Sequence, residues 1–190
     1  NNNKIKKILD DILIKKNSIL ESLSANYKNS YSKKTILKFK KYNYIRIIGM
    51  GGSILGAESI YYFLKNKIKK KFFFYNNLQP QININDRKNK YLNLIVSKSG
   101  STLETISNSN IIIKDQDKNI FITENKENYL KLLADKLKAE IVHHNNFIGG
   151  RYSVLSEVGM LPAELMGLNS TKFKQLNNLI KNKKFINALI

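Results

Sequence analysis

Hydrophobic positions near the start of the chain follow a helical spacing. Apolar side chains from Ile5 to Leu23 recur mainly at three- and four-residue intervals, which predicts an amphipathic helix that must pack on another part of the protein. A second, shorter helix is predicted to end near Tyr42. We therefore expect residues 1–42 to form a helical arm ahead of the main fold.

From Tyr44 onward, compact runs rich in β-branched and aromatic side chains alternate with helically spaced segments. This pattern is typical of buried parallel strands joined by helices. Strands are predicted at 44–48, 72–75, 92–96, 120–123 and 140–143, with helices at 54–64, 102–113 and 129–137. The alternation predicts an α/β protein, a three-layer α/β/α sandwich with a central parallel sheet and right-handed crossovers. Residues 76–89 are predicted to form the longest loop.

The last part of the chain begins a new element. Asn169, Ser170 and Thr171 are predicted to cap a helix, and an apolar-periodic segment then runs to Ile190. We expect the main domain to span residues 43–169 and residues 170–190 to be the start of a truncated C-terminal region. The chain is thus interpreted as the amino-terminal part of a longer protein.

The strongly basic composition raises the question of nucleic-acid binding. Lys and Arg number 33 against 14 Asp and Glu, a formal net charge of +19. Only Arg46, Arg87 and Arg151 are arginines, whereas a nucleic-acid surface more often carries Arg for bidentate and stacking contacts. A compositional drift towards Lys, Asn and Ile explains the excess more simply, so no nucleic-acid partner is expected. A basic nucleic-acid-binding domain is the alternative, and it would need its lysines on one face.

Cysteine usage and hydropathy point to a cytoplasmic protein. The chain has no Cys, which excludes disulfides and thiolate metal sites and fits a reducing compartment. No apolar stretch reaches the roughly 18 residues that span a bilayer, and the polar start lacks a signal-peptide core. We expect no membrane association.

Glycine is concentrated in three loops, each directly after a predicted strand. Ligands bind at the carboxyl ends of strands in parallel sheets, and glycine lets a ligand approach the main chain closely. We therefore expect the three loops to converge on one ligand. The clusters are Gly49, Gly51, Gly52 and Gly56; then Gly100; then Gly149 and Gly150, with Gly159 and Gly167 behind.

The middle loop, residues 97–105 (Ser-Lys-Ser-Gly-Ser-Thr-Leu-Glu-Thr), carries the clearest chemistry. It places hydroxyls and Lys98 at a predicted helix N-terminus, where free amides and the helix dipole favour a phosphate. Alternatively, a Ser or Thr here simply caps the helix. That alternative accounts for only one of the five hydroxyls, so the segment is interpreted as a phosphate site.

The first and third loops are less specific when each is taken alone. The first resembles a dinucleotide fingerprint, but Ile54 stands where the third glycine is required. A ligand close to the Gly52–Ser53 backbone and a simple tight turn both remain open. In the third loop, Arg151 has a rigid, permanently charged fork that suits a phosphate or a developing oxyanion. The alternative is a surface arginine.

Three segments together resemble the phosphoglucose isomerase (glucose-6-phosphate isomerase) family. Residues 49–53, 97–105 and 147–159 match in the family's order, and the last is its specific signature. The middle segment alone would indicate only the wider sugar-isomerase (SIS) domain family, which includes regulators and aminosugar enzymes. The resemblance runs from about Tyr44 to Leu168. It implies a SIS-type, flavodoxin-like sheet.

The resemblance also implies roles for individual residues. Gly52 and Ser53 would contact the sugar, Arg151 would stabilise an enediolate, and Glu104 would support the histidine that opens the sugar ring. That histidine, the proton-shuttling glutamate and a closing lysine lie in the family's carboxyl-terminal half, outside this chain. The substrate phosphate is expected on Ser97, Lys98, Ser99, Thr102 and Thr105.

The implied complete enzyme interconverts glucose 6-phosphate and fructose 6-phosphate through a cis-enediol, in glycolysis and gluconeogenesis. It is expected to be a homodimer without a metal or redox cofactor, and this chain alone is expected to be inactive. The alternative is a sugar-phosphate-binding regulatory module, which would keep the hydroxyl loop but would not need Gly150 and Arg151. His143 and His144 are expected to serve packing or to lie on the surface, and they lack the wider ligand set of a metal site.

Overall fold

The computed structural model describes residues 2–14, 17–78, 89–175 and 182–189. Its strands are β1 Tyr44–Gly49, β2 Lys71–Tyr75, β3 Tyr91–Val96, β4 Lys118–Thr123 and β5 Glu140–His143. Its α-helices are α1 Asn2–Ile14, α2 Ser18–Ser22, α3 Lys33–Phe39, α4 Leu55–Phe63, α5 Leu103–Ile112, α6 Tyr129–Lys136, α7 Glu157–Leu165, α8 Ser170–Phe173 and α9 Lys183–Leu189. Short 3₁₀ turns span Gly51–Ser53, Lys65–Lys67 and Gly150–Leu155.

The strands form one parallel sheet in the order β2-β1-β3-β4-β5. Gly49 at the end of β1 is in register with Val96 at the end of β3. The strand order changes direction between β1 and β3, and this point is where parallel sheets of this order open a crevice for ligands. The predicted α/β fold with a central parallel sheet is confirmed.

Apolar side chains cover both faces of the sheet. On one face, Ile47 of β1 belongs to a core cluster with residues of α4 and α7. On the other face, Ile48 packs with Phe121 of β4 and Leu130 of α6. Burying each of these large side chains stabilises the fold by roughly 1.5–3 kcal/mol. The sheet therefore lies between two helical layers, as predicted.

One charged residue interrupts the apolar run of β1. The Arg46 guanidinium donates to Asp117 Oδ2 at 3.0 Å and stacks on the Tyr91 ring, 3.4 Å from its centroid. The Asn93 side-chain amide also donates to Asp117 Oδ2, at 3.3 Å. Arg46 is thereby committed to a buried ion pair with Asp117, the residue just before β4.

The N-terminal arm differs from the single helix predicted over 5–23. Two helices, α1 and α2, lie there, and Asn17 begins the second by accepting a hydrogen bond from the Ile19 amide at 2.8 Å. Such an N-cap starts a new helix, which breaks the predicted one. Three apolar side chains of α1, Ile5, Ile8 and Ile12, are exposed.

The bounds of the five strands and of α4, α5 and α6 differ from those predicted by at most two residues, and the helix predicted to end near Tyr42 ends at Phe39. Asn169 caps α8 as predicted, because its Oδ1 accepts from the Thr171 amide at 3.0 Å. Most of the predicted loop at 76–89 lies outside the described residues. Within the described residues, every helix is too short or too polar to cross a membrane.

Candidate functional site

The first and third glycine loops touch at the carboxyl edge of the sheet. A Cβ built on Gly52 would lie 2.3 Å from the carbonyl carbon and oxygen of Gly150 and 2.7 Å from the Arg151 amide nitrogen. All of these neighbours are backbone atoms. The structure therefore brings Gly52 and Arg151 together, as the sequence predicts.

Two further glycines pack closely against the turn that carries Arg151. A Cβ on Gly56 would lie 2.7 Å from Val154 Cγ2, and one on Gly159 would lie 2.0 Å from the Val154 carbonyl oxygen. The packing of Gly56 and Gly159 fixes the Gly150–Leu155 turn against α4 and α7. The close packing of Gly52 against the Gly150 and Arg151 backbone accounts for a glycine at this position as well as the approach of a ligand would.

The middle loop leaves the amino end of α5 uncapped by any side chain of the described residues. Thr102 occupies the cap position, but its hydroxyl oxygen lies 2.9 Å from Ser97 Oγ instead of bonding to the helix. Ser97 Oγ also accepts from the Gly100 amide at 3.2 Å. The alternative in which a hydroxyl merely caps the helix is therefore not what the structure has. The first-turn amides can serve an anion.

The hydroxyls of this loop differ in accessibility. Ser99 and Ser101 are exposed and bond to each other, with 3.1 Å between their oxygens. Thr105 is only 1 % exposed, and its hydroxyl has no partner among the described residues. A phosphate at the surface can reach Ser99 and Thr102 directly, whereas contact with Thr105 would need a rearrangement.

Gly100 packs against Asn128, a residue that was not predicted to belong to the site. Its φ is +67°, and a Cβ here would lie 2.0 Å from Asn128 Oδ1. Asn128 caps α6 by accepting from the Lys131 amide at 3.0 Å. Its place directly before the helix predicted at 129–137 was the available signal.

Lys98 is engaged by two groups. Its Nζ donates to the Asn146 carbonyl oxygen at 2.7 Å and lies 3.3 Å from Glu124 Oε1. Glu124 follows β4 directly and was not predicted. A hydrogen bond from Lys126 is the main cause that lowers the pKa of the Glu124 carboxyl, and Lys98 adds to it.

Arg151 is exposed, and its guanidinium makes no ion pair or hydrogen bond with the part of the chain that the structure describes. Glu104 is half-buried in the first turn of α5, where the helix dipole favours a negative charge. Ser53, the last residue of the Gly51–Ser53 turn, is buried. The Arg151 guanidinium is thus free to meet a ligand at the carboxyl edge of the sheet.

The two histidines lie just behind the third loop. His143 is exposed, and its carbonyl accepts from Ser30 Oγ. His144 is buried, and its burial lowers the pKa of the imidazole against the opposing effect of the Glu157 carboxylate. Across the described ranges, no group of three or more His, Asp or Glu is arranged to hold a metal ion.

A cavity of about 360 Å³ lies at the opposite, amino edge of the sheet. Lys38, Lys118 and Glu140 are among its lining residues, and none of the predicted site residues is. Lys38 and Glu140 form an ion pair there at 2.7 Å. This cavity is separate from the three loops.

The fold defines an α/β protein with a central parallel sheet and a polar carboxyl edge, and solved structures share that fold. A hypothetical protein from Thermus thermophilus matches 99% of this chain and 51% of its own, with a TM-score of 0.75 and 20% identity. The tagatose-6-phosphate ketose/aldose isomerase from Escherichia coli matches 77% of this chain and 45% of its own, with a TM-score of 0.56 and 14% identity.

Sequence comparison identifies the family. The sequence model named phosphoglucose isomerase matches residues 9–188, so the chain belongs to the phosphoglucose isomerase family. The glucose-6-phosphate isomerase of Methanocaldococcus jannaschii is 32% identical over 170 residues, which cover 78% of this chain and 42% of that protein. That of Borreliella afzelii is 32% identical over 185 residues, covering 80% and 34%. The chain thus spans less than half the length of these relatives.

Proposed function

We propose that the full-length protein is a glucose-6-phosphate isomerase and that this chain supplies its phosphate site and its enediolate-stabilising arginine. Family membership supports the reaction. The observation that carries the residue roles is the meeting of two features at one sheet edge. The uncapped amino end of α5 follows β3, and the contact of Gly52 with the Gly150–Arg151 backbone lies at the end of neighbouring β1.

The proposed reaction moves a proton between C2 of the open aldose and C1 of the ketose through a cis-enediolate. Ser99 and Thr102, with the α5 amides, hold the phosphate, and the buried Ser97 supports Thr102 through the contact between their hydroxyls. This remote binding energy positions the reacting carbons. Arg151 stabilises the negative charge that develops on the enediolate oxygen. Glu104 supports the ring-opening histidine, which lies outside this chain together with the base that carries the proton.

Further assignments are part of the same proposal. Gly52 and Ser53 contact the sugar, and Lys98 completes the phosphate-binding segment. Thr105 lies in that segment but is buried, so its hydroxyl does not contact the phosphate. The full-length enzyme is proposed to act as a cytoplasmic homodimer in glycolysis and gluconeogenesis.

The test is a coupled assay on the full-length protein, produced in a host that lacks its own glucose-6-phosphate isomerase. Conversion of fructose 6-phosphate is followed through glucose-6-phosphate dehydrogenase. Arg151→Lys keeps the charge but loses the planar fork, so we expect kcat to fall by roughly 10²-fold or more while KM changes little. Sugar-phosphate binding without turnover in the unmodified protein would instead favour the regulatory module.

A further inference from the structure

Lys98 connects three elements at the carboxyl edge. Its backbone carbonyl accepts from the Glu124 amide at 3.1 Å and from Thr123 Oγ1 at 3.3 Å. Its ammonium reaches across to the Asn146 carbonyl oxygen at 2.7 Å. The residue thereby ties the phosphate loop after β3 both to the end of β4 and to the loop after β5.

The carboxylate of Glu124 is out of place for a simple anion site. It lies 3.3 Å from the Lys98 ammonium and 2.6 Å from the Lys126 ammonium, and its side chain is only 11 % exposed. A charged carboxylate beside a bound phosphate repels it. Its presence here needs a compensating role.

We propose that Glu124 is a positioning residue, which holds the Lys98 ammonium against the Asn146 carbonyl and so fixes residues 145–151 relative to the phosphate loop. The inference rests on the proposed function, because its consequence is the placement of Arg151. The neighbouring Asn145 amide donates to the buried Glu157 carboxylate at 2.7 Å. Two consecutive residues of this segment are therefore held by side chains from separate elements.

Neutralising Glu124 should change phosphate affinity in opposite directions, depending on whether Glu124 positions Lys98 or competes with phosphate for it. If Glu124 only competed with phosphate for Lys98, its neutralisation would tighten phosphate binding. If it positions Lys98, neutralisation loosens the segment that carries Arg151, and both phosphate affinity and turnover fall. A small displacement of a catalytic group is enough to reduce kcat strongly.

Full-length Glu124→Gln and Glu127→Gln form a matched pair. Glu127 is a nearby carboxylate whose ion pair, among the described residues, is with Lys131 at 2.5 Å and not with Lys98. Glu124→Gln is expected to lower kcat/KM by about tenfold, with part of the loss in kcat, and to weaken inorganic phosphate binding by about threefold. Glu127→Gln should change neither quantity by more than about twofold.

Equal behaviour of the two variants, or tighter phosphate binding in Glu124→Gln, overturns the bridge. Lys98→Met removes the other partner of the Glu124–Lys98 ion pair. Because Glu124 acts through Lys98, the double variant Glu124→Gln/Lys98→Met should lose no more kcat/KM or phosphate affinity than Lys98→Met alone. Additive losses would contradict the proposal.

The unmodified protein separates this inference from the proposed function. Absence of isomerisation in the unmodified protein rejects the proposed function. Calorimetric titration with inorganic phosphate still tests the positioning role of Glu124, because weaker binding by Glu124→Gln supports that role and tighter binding contradicts it. Unchanged thermal midpoints show that the variants are folded.

Discussion

The backbone of Gly52 rests directly on the backbone of Gly150. A methyl group added to Gly52 would come within 2.3 Å of the Gly150 carbonyl, whereas one added to Gly150 would meet its nearest neighbour, Gly52 Cα, at 4.0 Å. The contact is therefore asymmetric. It places the turn that carries Arg151 beside the turn after β1.

Gly52→Ala should destabilise the protein more than Gly150→Ala does. The clash at Gly52 involves backbone that cannot rotate away, so the cost is about 1–3 kcal/mol of unfolding free energy, as for other overpacked sites. Gly150→Ala meets only ordinary contacts and serves as the matched control. Chemical denaturation of both full-length variants measures the difference, and equal stability would show that the two turns do not pack as described.

Thr102→Val should weaken sugar-phosphate binding more than Thr105→Val does. The Thr102 hydroxyl lies beside Ser97 at the mouth of α5, and a hydrogen bond to a charged group contributes roughly 1.5–3 kcal/mol. That corresponds to at least about tenfold in affinity by calorimetry. Thr105 is buried with an unpartnered hydroxyl among the described residues, so an isosteric valine should leave affinity nearly unchanged. An equal loss for both would mean that the phosphate reaches Thr105.

Asp117→Ala should strongly destabilise the fold. The Arg46 and Asp117 side chains are 4 % and 1 % exposed, and removing one member of a buried pair costs roughly 3–5 kcal/mol because the other charge stays buried. Glu127→Gln, in an ion pair whose carboxylate is 75 % exposed, should cost about 1 kcal/mol or less. Denaturant unfolding compares the two, and a small effect at Asp117 would contradict the buried network.

Stability should fall in alkali partly through Tyr27. Burial and, secondarily, the Glu157 carboxylate raise the pKa of its phenol from 10.0 to about 12. Its contribution is complete below pH 10.0 and is lost between pH 10.0 and about 12, because the unfolded state releases this proton first. Tyr27→Phe should make the decline shallower, whereas Tyr62→Phe, at a side chain 60 % exposed, is the control. Identical pH profiles for both variants would refute this origin.

Local patterning was sufficient to predict the sheet and the edge at which the first and third glycine loops meet. β-branched runs such as 44–48 mark buried strands, because parallel strands bury both faces. Each glycine cluster follows such a run, which predicts that the loops meet at one edge. The contact of Gly52 with Gly150 was predictable on that ground. It was not predictable that close packing by itself accounts for a glycine at position 52.

The contacts that link one loop to another could not be predicted in this way. Glu124 and Asn128 contact Lys98 and Gly100, which lie much earlier in the chain. Such contacts depend on strand order, which periodicity does not report. The break at Asn17 was missed because α1 and α2 share one apolar spacing.

A crystal structure of the full-length protein with fructose 6-phosphate bound would show directly whether the substrate occupies the proposed site. We expect the phosphate at the amino end of α5, within hydrogen-bond distance of Ser99 and Thr102, and the sugar hydroxyls at C1 and C2 beside Arg151. A phosphate bound instead in the amino-edge cavity near Lys118, or a sugar directed away from Arg151, would contradict the proposed site.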